Sequence, residues 1–132
     1  MMKKIKIYII DDNEFICDAL NFFLDSFSAL EVIIFHNPML FLNELNPNLD
    51  GCLIVDLFLP SMNGFELIKK IRQQNTNLKI ILTSGYGATH VEKTALEAGA
   101  NDFILKPFNI DALLRKIQTL LKLENYYFNI PA

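Results

Sequence analysis

Cysteine is scarce in this chain. Cys17 and Cys52 stand in neither a metal-ligand spacing nor a CxxC redox pair. Both fall in apolar patterns, so they read as small buried side chains of a protein kept in a reducing cytoplasm. Positive charge is also missing in excess: 12 basic residues face 15 acidic ones, for a net charge of -3. That balance gives no electrostatic basis for direct nucleic-acid binding. No apolar run approaches about 18 residues, which removes a membrane span. The opening MMKKIKIYIIDD has an apolar run too short for a signal peptide, and it ends in two aspartates. The two histidines, His36 and His90, have no partner at a metal-ligand spacing and read as exposed loop or helix-start residues. Repeats, low-complexity tracts and internal linkers are absent as well.

What is present is a foldable chain. It has 132 residues, 52% of them hydrophobic and 20% charged, a balance typical of one globular domain and wrong for disorder. A chain of this length buries roughly two-thirds of its unfolded surface. Short apolar runs rich in β-branched residues predict strands at 5–10, 30–35, 52–55, 79–83 and 102–105. Helical spacing lies between and after them. Ile16, Leu20, Phe23, Leu24 and Phe27 form one helix face, and Phe65, Leu67, Ile68 and Ile71 form another. Asn37-Pro38 is a helix start, and the helix it opens runs through Leu45. Thr89 to Glu92 reads as a capping box, Gly99 suits the end of that helix, and Asn109 can cap the last. The 11 phenylalanines read mostly as core. Strand and helix thus alternate five times, which predicts a parallel sheet with helices on both faces. The central runs do not alternate with polar residues, so both their faces are buried.

In such a sheet ligands bind beyond the carboxyl ends of the strands. The first strand delivers Asp11 and Asp12 there, the third Asp56, the fourth Thr83 and Ser84, and the fifth Lys106 followed by Pro107. The second offers only His36 and Asn37. If the first and third strands are neighbours, three carboxylates converge and repel one another by several kcal/mol at an effective dielectric near 20. An oxygen-only cluster of this kind suits Mg²⁺. With Lys106 and a hydroxyl added, the set suits a phosphoryl group. Taken singly, each residue has a plainer reading: Asp11-Asp12 as a helix-start pair, Lys106 as a solvated charge. All of them in order, each ending a predicted strand, point to one site.

These residues carry a resemblance. The acidic pair, Asp56 after an apolar strand, Pro60, Gly64, Ser84 and the run AGANDFILKPF (residues 98–108) resemble the receiver domains of bacterial two-component response regulators, over about residues 4–122. The resemblance implies a flavodoxin-like (βα)5 fold with strand order 2-1-3-4-5. It implies that Asp56 is the phosphoacceptor, supplied by a sensor histidine kinase or phosphotransfer protein. Asp12, Asp56 and the backbone carbonyl of Phe58 would ligate Mg²⁺, with Asp11 acting through water. Ser84 and Lys106 would bind the phosphoryl oxygens, Ser84 rather than Thr83 because of its spacing to the lysine. Phe103 would be the aromatic switch that moves with Ser84, and the Lys106-Pro107 bond would be cis. The surface of the fourth helix, fifth strand and fifth helix would then signal to a downstream protein or effector domain, or form a homodimer on phosphorylation. The role implied is a phosphoacceptor signalling domain, not an enzyme acting on other substrates.

Phe58, two residues past the acceptor, and Tyr86, two past Ser84, are bulky and suggest slow loss of the phosphate. Phe58 also argues against a haloacid-dehalogenase-type phosphatase, which needs an aspartate there. The acidic pair after the first strand argues against a flavin carrier's phosphate cradle. A receiver reduced to an interaction module would have lost an acid, the hydroxyl or the lysine, and all are present. Residues 1–124 read as the domain and 125–132 as a short tail or the start of a linker. The MMKK start argues against a C-terminal receiver, leaving a stand-alone regulator or the N-terminal receiver of a longer transcriptional regulator.

Overall fold

The computed structural model describes residues 3–85 and 89–123. Strands and helices alternate as β1 (Ile5–Ile10), α1 (Glu14–Asp25), β2 (Leu30–Phe35), α2 (Pro38–Glu44) and β3 (Cys52–Asp56). They continue as α3 (Gly64–Arg72), β4 (Lys79–Ser84), α4 (Thr89–Ala98), β5 (Asp102–Leu105) and α5 (Ile110–Leu121). All strand pairs are parallel, in the order β2-β1-β3-β4-β5. This is the expected topology.

The continuous apolar runs work because the pleat sorts them by turns. Tyr8 and Ile10 of β1, Leu53 and Val55 of β3, and Ile80 and Leu82 of β4 face one core, against α2, α3 and α4. Ile7 and Ile9, Cys52 and Ile54, and Ile81 face the other, against α1 and α5. Every residue of β3 is buried. In the first core Phe41 is fully buried and meets Tyr8 and Phe35 edge-on, with ring centroids 5.6 and 5.4 Å apart. Removing that ring leaves a hole, at a cost of about 3–5 kcal/mol.

Local signals set the helix starts. Asn13, Asn37, Asn63 and Asn109 each cap a helix, their side-chain oxygens accepting amide protons of the first turn. The sequence showed two of these, Asn37 and Asn109. Thr89 is the first residue of α4 rather than its cap, and residues 86–88 before it lie outside the described residues. Gly99 ends α4 at φ +120°, as its position suggested. Gly64 is required by proximity: a β-carbon there would meet the Asp56 carbonyl oxygen at 2.8 Å and Leu82 Cδ1 at 2.7 Å.

One expectation is corrected. The phenylalanines are not mostly core. Phe41 is fully buried, whereas Phe15, Phe22, Phe23 and Phe58 are exposed. Phe27, Phe35, Phe65, Phe103 and Phe108 sit half-buried at the margins of the two cores. On α1 the buried stripe is Cys17, Leu20 and Leu24, so Phe23 belongs to the next stripe round. Spacing alone could not separate two adjacent apolar stripes on a helix that carries both.

Candidate phosphoryl-transfer site

The sheet order puts β1 and β3 side by side, with Ile10 opposite Val55. The next residue of each strand is therefore an aspartate beside an aspartate. Asp11 and Asp56 are both buried, and Asp12 is exposed beside them. One carboxylate oxygen from each lies within 4.8 Å of the others. At that separation two like charges repel by about 3–4 kcal/mol at an effective dielectric near 20.

Lys106 arrives from the other side. Its backbone amide donates to the Ser84 carbonyl at 2.7 Å, extending the β4–β5 ladder one residue past β5. The Lys106-Pro107 peptide is cis, as expected. Lys106 Nζ donates to Asp11 Oδ2 at 2.8 Å and pairs with Asp56 Oδ1 at 3.0 Å. Burial works against its charge, but the bonds to Asp11 and Asp56 outweigh that and raise its pKa.

Asp56 is also raised, although a lysine touches it. Burial is the largest cause, and repulsion from Asp11 and Asp12 adds to it. Lys106 pulls the other way through its hydrogen bond and its charge, and does not prevail. The two directions look contradictory for one ion pair, yet they agree once the whole cluster is considered. One lysine is divided between two buried carboxylates, with a third close by. The site is left with negative charge in excess.

Each acid is held differently. Asp11 uses both oxygens: Oδ2 on Lys106, and Oδ1 accepting the Asn13 amide at 2.9 Å. Its carbonyl accepts from the Cys17 thiol at 3.2 Å. Asp56 Oδ1 faces Thr83 Oγ1 at 3.5 Å, the outer limit of a hydrogen bond. Thr83 is the register partner of Asp56, which puts its hydroxyl beside that carboxylate. Ser84 ends β4, fully buried, with its carbonyl tied to Lys106. Phe103 of β5 lies opposite Leu82, half-buried against the α2–α3–α4 core. Phe58 is 57% exposed on the loop after β3. Tyr86 lies outside the described residues. His36 and His90 are exposed.

Sequence reasoning found every acid and the lysine, because each ends a strand. It missed Arg72, Asn75 and Asn101, which form a second polar cluster at the amino end of the sheet. No signal marked them, since single polar residues in loops and helix ends are ordinary.

The family model of the response regulator receiver domain matches residues 7–118. The chain belongs to the response-regulator receiver family. A response regulator protein of Pseudomonas putida, TodT, is 37% identical over 117 residues, which cover 89% of this chain and 51% of that protein. The transcriptional regulatory protein FixJ of Bradyrhizobium diazoefficiens is 34% identical over 122 residues, 92% of this chain and 59% of its own. The chain thus spans little more than half the length of these curated relatives. Among solved structures, a CheY-like receiver domain protein from Methanospirillum hungatei superposes with a TM-score of 0.82 at 31% identity, covering 91% of this receiver and 95% of that chain. Full-length FixJ from B. japonicum gives 0.80 at 36% identity, covering 92% and 59%. No helix among the described residues of this receiver is long and apolar enough to cross a membrane.

Proposed function

We propose that Asp56 is the phosphoacceptor of this receiver, charged by a phosphohistidine on a sensor kinase or phosphotransfer protein. One observation carries the reading: a buried strand-end carboxylate 3.0 Å from a lysine that it shares with a second carboxylate. The Asp56 oxygen attacks phosphorus, the new O–P bond forms as the histidine N–P bond breaks, and the imidazole leaves. Lys106 turns from the carboxylates to the incoming phosphoryl oxygens, and Ser84 supplies a hydroxyl to them. The all-oxygen, net-negative donor set fits Mg²⁺. Asp12, Asp56 and the Phe58 carbonyl would hold the ion, with Asp11 acting through water. The occupation of both Asp11 oxygens by protein donors supports that division. When bound, Mg²⁺ supplies neutralisation of the phosphoryl oxygens.

The acyl phosphate draws Ser84 toward it and Phe103 follows inward, altering the α4–β5–α5 surface read by a downstream protein, an effector domain or a second copy. The chemistry is limited to the receiver's own phosphorylation and dephosphorylation. Phe58, two residues past the acceptor, slows the approach of water to the acyl phosphate, so the phosphate is long-lived. The two buried free cysteines suit a reducing cytoplasm.

A second reading concerns the larger protein. This chain spans 59% of a relative named a transcriptional regulatory protein, which favours the N-terminal receiver of a longer transcriptional regulator over a stand-alone one. The intact mass of the native gene product separates the two. The site is tested by incubating the chain with Mg²⁺ and a small phosphodonor. The wild type gains the mass of one phosphoryl group and Asp56→Asn gains none; equal labelling of both would overturn the assignment.

A further inference from the structure

At the amino end of the sheet lies a groove that the phosphoryl site does not use. It is about 400 Å³ in volume and lies between the starts of β1 and β4 and the end of α5. Its apolar wall is Ile5, Leu120, Leu121 and Leu123, half-buried side chains that border the α1–α5 core. Its polar wall carries Lys6, Lys79 and Lys122 against a single acid, Asp50. An apolar wall joined by a few convergent polar groups, at this volume, is how small-molecule sites are built.

The backbone around the groove is held in place. The Ile5 amide donates to the Ala29 carbonyl at 2.9 Å, and the Lys79 amide to the Gly51 carbonyl at 3.0 Å. Gly51 sits at φ +107°, and a β-carbon there would collide with the Lys6 carbonyl oxygen, so only glycine lets the two segments come this close. Lys122 caps α5 at φ 56°, ψ 44°, and the Leu123 amide closes the last turn on the Gln118 carbonyl at 2.9 Å. Lysines from β1, β4 and the end of α5 thus meet at one groove from fixed starting points.

Charge selects the occupant. The chain as a whole carries a net charge of -3, yet this groove sets three lysines against one aspartate. Elsewhere Lys93, Lys106 and Lys116 each pair with a carboxylate. Among the described residues Lys6, Lys79 and Lys122 pair with none. An anion is therefore favoured over a cation or a neutral solute. A bare anion would leave the leucines in water, whereas one with an apolar body covers them. Lysine is a point charge on a flexible stem, so it takes a small anionic head without demanding one geometry.

We propose that this groove binds a small amphiphilic anion. Its apolar body lies along Ile5, Leu120, Leu121 and Leu123, and its head sits among Lys6, Lys79 and Lys122. Bound there, it ties the end of α5 to β1 and β4, at the end of the sheet opposite Asp56. The site is independent of phosphorylation and needs no metal.

The test titrates the full, metal-free chain, labelled for NMR, with octanoate kept below the concentration at which it aggregates. Octanol (the same body without the charge) and inorganic phosphate (a charge without the body) are titrated in parallel. Octanoate should shift the amides of Ile5, Lys6, Gly51 and Lys79 to saturation and leave those of Asp56 and Lys106 in place. Octanol and phosphate should need higher concentrations to shift the same amides. A variant with Lys6→Gln and Lys79→Gln should bind octanoate about tenfold more weakly or worse, since two of the three charges are gone. Its spectrum away from the groove reports that the fold is kept. No saturable shift with octanoate would overturn the proposal. So would equal affinity for octanol, equal affinity for phosphate, or undiminished binding of octanoate by the folded variant.

Discussion

The two ends of the sheet each bury a polar cluster, and the clusters differ in one respect. At the amino end Asn75 is 2% exposed, and its side chain is saturated. Its amide donates to the carbonyls of Asn46 and Leu49 at 2.8 Å, and its oxygen accepts the amides of Asn77 and Leu78 at 2.9 Å. Beside it Arg72 donates to the Gly99 carbonyl and to Asn101 Oδ1, which also accepts the Ile80 amide. Every bond there is made within the chain. At the carboxyl end Asp11 and Asp56 share one lysine with Asp12 close by, and the charges do not cancel. A saturated cluster holds a fold in place. An unbalanced one holds a demand that something from outside must meet.

The comparison is sharpest under substitution. Asp56→Asn keeps the shape of the carboxyl end, removes one of the crowded charges, and abolishes labelling by a small phosphodonor. Its stability to urea is unchanged or higher, because a repulsive charge has gone. A clear fall in stability would mean that this cluster, like the other, is built for support.

Asn75→Ala is the reciprocal experiment. It deprives the Leu49 carbonyl and the Leu78 amide of their partner, while the Asn46 carbonyl keeps the Leu49 amide and the exposed Asn77 amide turns to water; each buried group left unpaired costs about 1–3 kcal/mol. A total loss of about 3 kcal/mol, read as a lower urea midpoint, is expected, with the labelling rate of the folded protein unchanged. Slowed labelling under conditions where the variant is fully folded would show that the two ends are coupled.

The carboxyl end was legible in the sequence, and the amino end was not. Strand ends are marked by where apolar runs stop, so Asp11, Asp12, Asp56 and Lys106 could be read as neighbours before any coordinates. Asn75 has no such marker. Its importance comes from carbonyls at 46 and 49, almost thirty residues earlier, which only the folded chain brings near. The exposed phenylalanines of α1 failed for a related reason. Periodicity says that a face is apolar, but the neighbouring layer decides whether that face is covered.

A smaller effect tests the charge imbalance directly. Burial, with Asp11 and Asp12, raises Asp56 above the ordinary aspartate pKa, and Lys106 alone opposes them. In metal-free protein the carboxyl ¹³C signal of Asp56 therefore titrates at a higher pH than that of a solvated aspartate. The ionised form is the disfavoured one, so acid relieves strain at this residue instead of creating it. Lys106→Met removes the opposing charge and moves the midpoint higher still. A midpoint at the solvated value, or one that falls in the variant, would remove the argument for excess negative charge.

The smallest expected effect separates distance from balance. Lys116 Nζ lies 3.1 Å from Asp102 Oδ2, nearly the spacing of Lys106 to Asp56. The lengths alone would rank the two pairs together. Yet the Lys116 and Asp102 side chains are 32% and 31% exposed, one lysine to one acid, with water to take over either partner. Such a pair contributes about 0.2–1 kcal/mol. Lys116→Ala should shift the urea midpoint only slightly and leave both labelling and the Asp56 titration untouched. A loss comparable to that of Asn75→Ala would mean that geometry, not burial and charge balance, decides which polar contacts matter in this receiver.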